Sequence, residues 1–498
     1  MSEPTALLDL LTAPDDALAL VEPASGERTT YGELRAAADG LARALAAAGV
    51  EAGDAVAMSL PNGPEIVAAF LGVVAAGAAA APLNQAYTAD EFHAYLEDLR
   101  PRAMLFLRGE ASLARAACET LGVRQLELEG AETAQLTIAG VAPAGSAPPR
   151  DPDAVALLLH TSGTTSKPKG VPIRQRNLAA SAHAIAATYG LSGSDASHCA
   201  MPLFHVHGLV ASTLATLASG GTVIAPRRFS ASSFWGECAA YGATWYSAVP
   251  TIHRILLSRA EDGSTDHAGH GLRFARSCSS ALPGPLMGEF ERRFALPLVE
   301  AYGMTEAAHQ MASNPLPPGE RRAGSVGQPT GTEIAILGDD WRPLAVGAVG
   351  EVCVRGPGVV DSYRANPEAT AASFRDGWFR TGDSGALSPD GYLSLAGRIK
   401  ELINRGGEKI SPHEVEDALL AHPEVVEAVA FAVPDEKYGE TVGAVVVTRG
   451  DVAEDALRAH CGESLAAFKV PVRVHVLDAI PKGPTGKVQR RHLAAQLS

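Results

Sequence analysis

The sequence lacks paired cysteines. Its six, Cys118, Cys199, Cys238, Cys278, Cys353 and Cys461, stand far apart, with no CxxC pair and no zinc-like spacing. That argues against a disulfide framework and favours reduced thiols in a cytoplasmic setting. Cationic residues are also in deficit: 41 Lys and Arg against 56 Asp and Glu give a formal net charge of -15. Such a balance argues against a nucleic-acid or anionic-membrane partner, both of which need a basic surface. No basic segment precedes an apolar core in MSEPTALLDL, so the start does not read as a secretory leader, and the final AAQLS is not a peroxisomal address. Charge is missing throughout residues 66–83, a length close to that of a membrane span. This stretch is nevertheless rich in Ala and Gly, contains Pro82 and has no flanking aromatic belt or Lys/Arg cluster. It reads as a buried helix running into a buried strand, and the protein is expected to be soluble, without a membrane partner.

What is present suits large cores. Of 498 residues, 46% are hydrophobic and 19% charged, enough for one large domain with an appendage. Thr30 and Glu33 have capping-box spacing ahead of Leu34, Leu41, Leu45 and Ala48, which predicts an amphipathic helix, and a strand AVAMSL follows. Strands alternating with helices predict an α/β fold with a largely parallel sheet. Residues 140–152, rich in Ala, Pro and Gly, read as a surface connection. From Val155 the pattern is strand (VALLLH), Gly/Ser/Thr loop and then helix. Between Gly324 and Leu395, short β-like runs (EIAIL, GEVCVRG, YLSLAG) predict a small β-rich subdomain. After Gly397-Arg398, Ser411-Pro412-His413-Glu414 reads as a capping box opening a helix, and strands VVEAVAFAV, VGAVVV and VRVHVL follow. The expected division is a large domain over 1–399 and a compact α+β domain over 400–498.

The segment richest in chemistry is TSGTTSKPKG, Thr161 to Gly170. Its glycines permit tight turns, its hydroxyls can donate to phosphate oxygens, and Lys167 and Lys169 add positive charge. A Walker loop is absent, since GxxxxGK[ST] does not occur. A polar surface turn is the plainer reading of a loop like this, but the donor density beside a buried strand favours an anion site.

The loop resembles the phosphate-binding signature of the ANL superfamily of adenylate-forming enzymes: acyl-CoA synthetases, peptide-synthetase adenylation domains and luciferases. Further signatures of that family recur in order: PLFHVHG (Pro202 to Gly208), AYGMTE (Ala301 to Glu306), WFRTGD (Trp378 to Asp383), GRIKELINRGGEKISPHEVE (Gly397 to Glu416) and PKGPTGK (Pro481 to Lys487). The resemblance implies ATP, Mg2+ and coenzyme A as cofactors, and a small mobile C-terminal domain acting as a lid. It implies nucleotide contacts from Thr161, Ser162, Gly163, Thr164, Thr165, Lys169, Ser280, Ala301, Tyr302, Gly303, Asp383 and Arg398. Tyr302 would stack on adenine, while Asp383 and Arg398 would hold the ribose. Glu306, after Thr305, would bear the Mg2+. Lys487 would bridge the carboxylate and α-phosphate, where two anions meet and need cationic relief. Lys400 would be the hinge, with Gly406 and Gly407 lining a pantetheine tunnel.

Around the expected acid position the sequence is polar: His205 and His207, Ser279 and Ser280, and His309. The HxH pair lacks a third metal ligand at recognisable spacing. Within the family the strings LHTSGTTSKPKGVP, PLFHVHGL, RFSASSFW, ATWYSAVPTIHRIL and EAYGMTEAAHQMASNPLP resemble the oxalate–CoA ligase branch. That resemblance implies an acid pocket of His205, His207, Ser279 and His309, with His205 also near the chemistry. Two departures stand out: Gly303 where that branch suggests alanine, and Ala308 where it suggests threonine. Alternatives are a malonate- or methylmalonate-type ligase with Arg276 or Arg254 on the distal carboxylate, a CoA-independent enzyme forming an amide or activating nitrite, and a non-catalytic nucleotide binder. A small-molecule acid is the expected partner, and the protein is expected to be a monomer or homodimer.

Overall fold

The computed structural model describes residues 5–161, 169–261, 269–481, 488 and 490–497. Two large sheets form the bulk of the molecule, one of seven strands and one of nine. In the seven-stranded sheet, Ala55–Ser59, Ala79–Pro82, Ala103–Leu107, Arg124–Glu129 and Val155–Thr161 run parallel, as the alternating pattern predicts. In the nine-stranded sheet a parallel group, including Trp245–Ala248, Phe274–Ser277 and Leu298–Met304, leads to the antiparallel strand His309–Ser313.

The uncharged stretch forms most of the helix Pro64–Ala75, which opens with Glu65 paired to Arg227, and the strand Ala79–Pro82, both buried. Ile66, Val67, Phe70, Leu71, Val73 and Val74 enter a core that joins Leu34, Leu41 and Leu45 to Leu178, Leu209 and Leu214. Burying each such Leu or Phe contributes about 1.5–3 kcal/mol, which explains so apolar a helix without a bilayer. No described helix is long and apolar enough to cross a membrane. The helix Tyr31–Ala47 begins at Thr30 with both halves of the capping box formed. All six cysteines are free and buried.

Two local expectations are corrected. The Gly/Ser/Thr loop does not lead directly into a helix. It joins Val155–Thr161 to an antiparallel strand, Lys169–Arg174, and only then does the helix Gln175–Tyr189 begin. Val171 and Ile173 are fully buried and face the core in strand alternation, and Pro172 is tolerated because the strand lies at the sheet edge. At Ser411 only half of the capping box forms. The hydroxyl accepts from the Glu414 N–H at 3.4 Å, but the Glu414 carboxylate turns to Lys469 Nζ at 2.6 and 2.8 Å.

Residues 333–398 form a five-stranded sheet that includes Trp378–Leu387 and Leu393–Arg398. A further five-stranded sheet, with Val425–Asp435 and Gly439–Thr448 paired at its centre, has its own core of Ile403, Ile410, Val415, Leu419, Val442 and Leu457. The two parts meet where the Ser411 hydroxyl donates to the Ala396 carbonyl.

Candidate active site

Three of the family-suggested nucleotide residues meet through strand pairing. Asp383 and Arg398 face each other in register across antiparallel strands, and Arg398 Nε lies 2.9 Å from Asp383 Oδ1. From the nine-stranded sheet, the Tyr302 hydroxyl donates to Asp383 Oδ2. Burial and the adjacent carboxylate push the Tyr302 phenol well above its usual range, so it remains a donor.

The strand carrying Tyr302 ends at Met304 and turns through Thr305–Ala307, which places Glu306 in a buried position. The Tyr363 hydroxyl donates to Glu306 Oε1 at 3.0 Å, and Lys169 Nζ sits 4.4 Å from the centre of the Tyr363 ring. Burial raises the Glu306 carboxyl above its ordinary pKa, opposed by the Tyr363 hydrogen bond and the charges of Arg398 and Lys169. Lys169 is lowered, mainly by burial, with the Lys400 charge reinforcing and Glu306 opposing. A buried carboxylate beside one hydroxyl and a cation suits a hard divalent ion shared with phosphate oxygens. Among the described residues no group of three His, Cys, Asp or Glu forms a metal cage by itself.

The strand returns as His309–Ser313, bringing His309 back to the site. This reversal is tight. A Cβ on Gly303 would lie 2.0 Å from the His309 carbonyl oxygen, so the bare glycine lets the two strands close, and Ala308 and His309 take φ of +50° and +124°. Positive φ in non-glycine residues is uncommon and gathers at functional sites. His207 opens a π-helical segment, His207–Leu214, another local irregularity associated with function. It starts where Gly208 packs against the Pro202 carbonyl, 2.3 Å from where a Cβ would stand.

His207 and His309 stack with ring centres 5.2 Å apart. His207 Nδ1 is 2.9 Å from Ser279 Oγ and its Nε2 is 2.7 Å from Ser247 Oγ. It is thus a core histidine satisfied by two serine side chains rather than by backbone. Ser279 has φ of +71° and is only partly buried, while its neighbour Ser280 is exposed. His205 lies against Phe204, ring centres 4.7 Å apart and tilted by 50°.

Behind this layer lies Arg276, fully buried. Its Nε donates to Tyr189 Oη at 2.9 Å and Gln310 Oε1 at 3.2 Å, and Nη1 to Ser247 Oγ at 2.8 Å. Its Nη2 reaches Gln310 Oε1 at 3.0 Å and His309 Nε2 at 3.1 Å. Arg276 is therefore engaged by protein groups and does not present its guanidinium to a distal carboxylate, which corrects the malonate-type expectation for that residue. Burial holds both imidazoles well below their ordinary pKa, reinforced at His207 by His309 and Arg276 and at His309 by Arg276.

Ser162, Gly163, Thr164, Thr165, Lys167 and Lys487 lie outside the described residues. Thr161 pairs with Lys169 at the mouth of the Gly/Ser/Thr loop, and Ala301 is buried one position before Tyr302. Gly406 and Gly407 form an exposed hairpin turn with φ of +61° and +99°. The sequence reading assigned no role to Tyr363, Ser247, Gln310 or Tyr189; Ser247 and Gln310 lie within the quoted strings ATWYSAVPTIHRIL and EAYGMTEAAHQMASNPLP, whereas Tyr363 and Tyr189 lie in none.

Comparison with known proteins agrees along the whole chain. A family profile described as AMP-binding enzyme matches residues 11–364, and one described as AMP-binding enzyme C-terminal domain matches residues 414–487. The chain is 48% identical to an oxalate–CoA ligase of Arabidopsis thaliana over 91% of this chain and 90% of that protein. It is 42% identical to a sulfoacetate–CoA ligase of Cupriavidus necator, over 95% of this chain and 94% of that protein. The ATP-bound structure of MatB from Rhodopseudomonas palustris superimposes with a TM-score of 0.90 at 31% identity, covering 99% of this chain and 98% of that one.

Proposed function

This chain belongs to the AMP-binding enzyme family, and from that premise we propose that it joins oxalate to coenzyme A through an oxalyl-adenylate. It is an AMP-forming acid–CoA ligase that uses ATP, Mg2+ and coenzyme A. The observation that carries the choice of acid is the His207–Ser279–His309 layer backed by buried Arg276. A fatty chain against that wall would leave its polar groups without partners, whereas an acid with carboxylates at both ends can satisfy them.

In this reading a carboxylate oxygen of oxalate attacks the α-phosphorus of ATP and pyrophosphate leaves. The coenzyme A thiol then attacks the oxalyl carbonyl, AMP departs and one proton is released. Asp383 and Arg398 take the ribose hydroxyls, Tyr302 takes the adenine face, and Ser280, Ala301 and Gly303 line the nucleotide. Thr161, Ser162, Gly163, Thr164, Thr165 and Lys169 surround the phosphates, and Lys487 bridges the two reacting anions. Glu306 would hold the Mg2+, which would supply charge neutralisation to the phosphates. His205, His207, Ser279 and His309 position the acid. We place the hinge at Lys400, between a domain over 1–399 and a lid over 400–498, with Gly406 and Gly407 beside the entering thiol. The six free cysteines favour a cytoplasmic setting, and the assembly is a monomer or homodimer.

The test is pyrophosphate release with ATP and Mg2+ across oxalate, sulfoacetate, malonate, methylmalonate, acetate and nitrite, each with and without coenzyme A, with mass detection of products. Oxalyl-CoA as the favoured product supports the proposal. Preference for sulfoacetate or malonate would reassign the acid. Release with no thioester would move the chain to a CoA-independent activity.

A further inference from the structure

Arg276 presents an unusual balance of charge. Its guanidinium is fully buried, yet among the described residues no Asp or Glu pairs with it; its partners are Tyr189, Gln310, Ser247, His309 and the Cys278 thiol. A buried charge without a counter-ion is costly unless an anion completes the site. The hydrogen-bond chemistry of its partners shows how that charge can reach the pocket surface.

Arginine can only donate. Its Nη2 lies 3.1 Å from His309 Nε2, so that nitrogen must accept, and a neutral His309 carries its proton on Nδ1. On the other branch Nη1 donates to Ser247 Oγ at 2.8 Å. Ser247 is fully buried, and the one acceptor described within reach of its own hydrogen is His207 Nε2, at 2.7 Å. His207 Nε2 therefore accepts, and its proton resides on Nδ1, which donates to Ser279 Oγ at 2.9 Å. Ser279 has then received its hydrogen bond, and its own hydroxyl hydrogen remains to be given. Because Ser279 is partly exposed and held at φ of +71°, the relay leads from the buried cation to the open side of the site.

We propose that Arg276 is a positioning residue for acid recognition: without touching the acid, it fixes His207 and His309 as Nδ1–H tautomers. The Ser279 hydroxyl and His309 then serve as donors to an anion, and the acid supplies the counter-charge that the guanidinium lacks. This rests on the acid-site reading given above and assigns the residue that sets that site's polarity. Burial, which keeps both imidazoles neutral near pH 7, is consistent with it. The expected selectivity is for acids with acceptor oxygens at both ends, since a ligand presenting a donor or an apolar tail there meets groups already committed to donating.

The test is nitrogen-15 NMR of histidine-labelled full-length protein with and without oxalate in the presence of ATP and Mg2+, with His207 and His309 assigned by single substitutions. Both rings are expected as Nδ1–H tautomers before oxalate is added, and both are expected to shift when it binds. In Ser247→Ala, His207 is expected to change tautomer while His309, still tied to Arg276, does not. The KM for oxalate should then rise about tenfold, while the KM for ATP stays within about twofold. Nε2–H tautomers in the native protein, or unchanged oxalate kinetics in Ser247→Ala, would overturn the relay. Nδ1–H rings that ignore oxalate would instead overturn the acid-site reading, and the role of the relay with it. Arg276→Met, which removes the charge, should raise the oxalate KM further. Should that variant fail to fold, the native spectrum and Ser247→Ala still decide the question.

Discussion

Replacing Tyr363 by Phe removes one oxygen and keeps the ring beneath Lys169, so it isolates the hydrogen bond that Tyr363 gives Glu306 at 3.0 Å. Glu306 is buried, with a carboxyl already raised above its usual pKa by loss of water and held back by that bond and by neighbouring cations. A hydrogen bond to a charged group contributes about 1.5–3 kcal/mol, and each pH unit corresponds to about 1.4 kcal/mol. Without it the protonated form gains ground. On the proposed role of Glu306, adenylation needs the ionised form to hold Mg2+, so rate is lost as pH falls through the Glu306 pKa. The acid limb of the pH–rate profile for pyrophosphate release is therefore expected to move upward by about one to two pH units in Tyr363→Phe. Below that limb the apparent KM for Mg2+ should rise by about tenfold or more, and on the alkaline side the two proteins should converge. Superimposable profiles, or an equal loss at every pH, would refute the assignment of Glu306 as the titrating metal carboxylate.

Other outcomes follow from neighbouring features. Glu300 is buried beneath the site, accepts the Leu282 N–H at 2.9 Å and is raised by burial from 4.5 to about 8. A raised carboxyl means that stability tied to it is whole below pH 4.5 and is lost as pH climbs toward 8. Glu300→Gln should therefore raise Tm more at alkaline pH than at pH 6, as thermal melts would show. In Gly303→Ala the new methyl must displace the His309 carbonyl, which lies 2.0 Å from its position. Oxalate KM should rise about tenfold with a smaller effect on ATP, and a crystal structure should show the two strands parted. Lys487→Ala should lower adenylate formation by several orders of magnitude while sparing thiol transfer from preformed oxalyl-adenylate, measured as separate half-reactions.

The fold was legible wherever one local cue decided it. Thr30 with Glu33, the largely apolar helix at Pro64–Ala75 and the alternating strands near the C-terminus all behave as their spacing predicts. The strand Lys169–Arg174 was hidden because Pro172 and two flanking cations resemble a helix approach, and only pairing with Val155–Thr161 gives it its form. Half of the Ser411 cap was lost because Lys469, 55 positions away in sequence, competes for Glu414. The same holds within the site. Asp383, Arg398 and Tyr302 stood in motifs and come together. Tyr363 lies in no motif and the string around Ser247 names no partner for it; Glu306 and His207 come from distant segments, so only the assembled fold reveals these contacts.

The tight reversal after Met304 has a consequence for inheritance. Tyr302, Glu306 and His309 ride on one stretch of chain whose closure depends on the side-chain-free position at Gly303. On the proposed roles of these residues, nucleotide grip and acid grip cannot drift apart there: an exchange of residues 298–313 between related ligases would carry both together. His207, Ser247 and the Arg276–Ser279 stretch arrive on three other segments, linked to His309 through the His207 ring stack and the Arg276 hydrogen bond. New acid preferences in a lineage of such ligases should accumulate on that wall first, with the 298–313 stretch left as common stock.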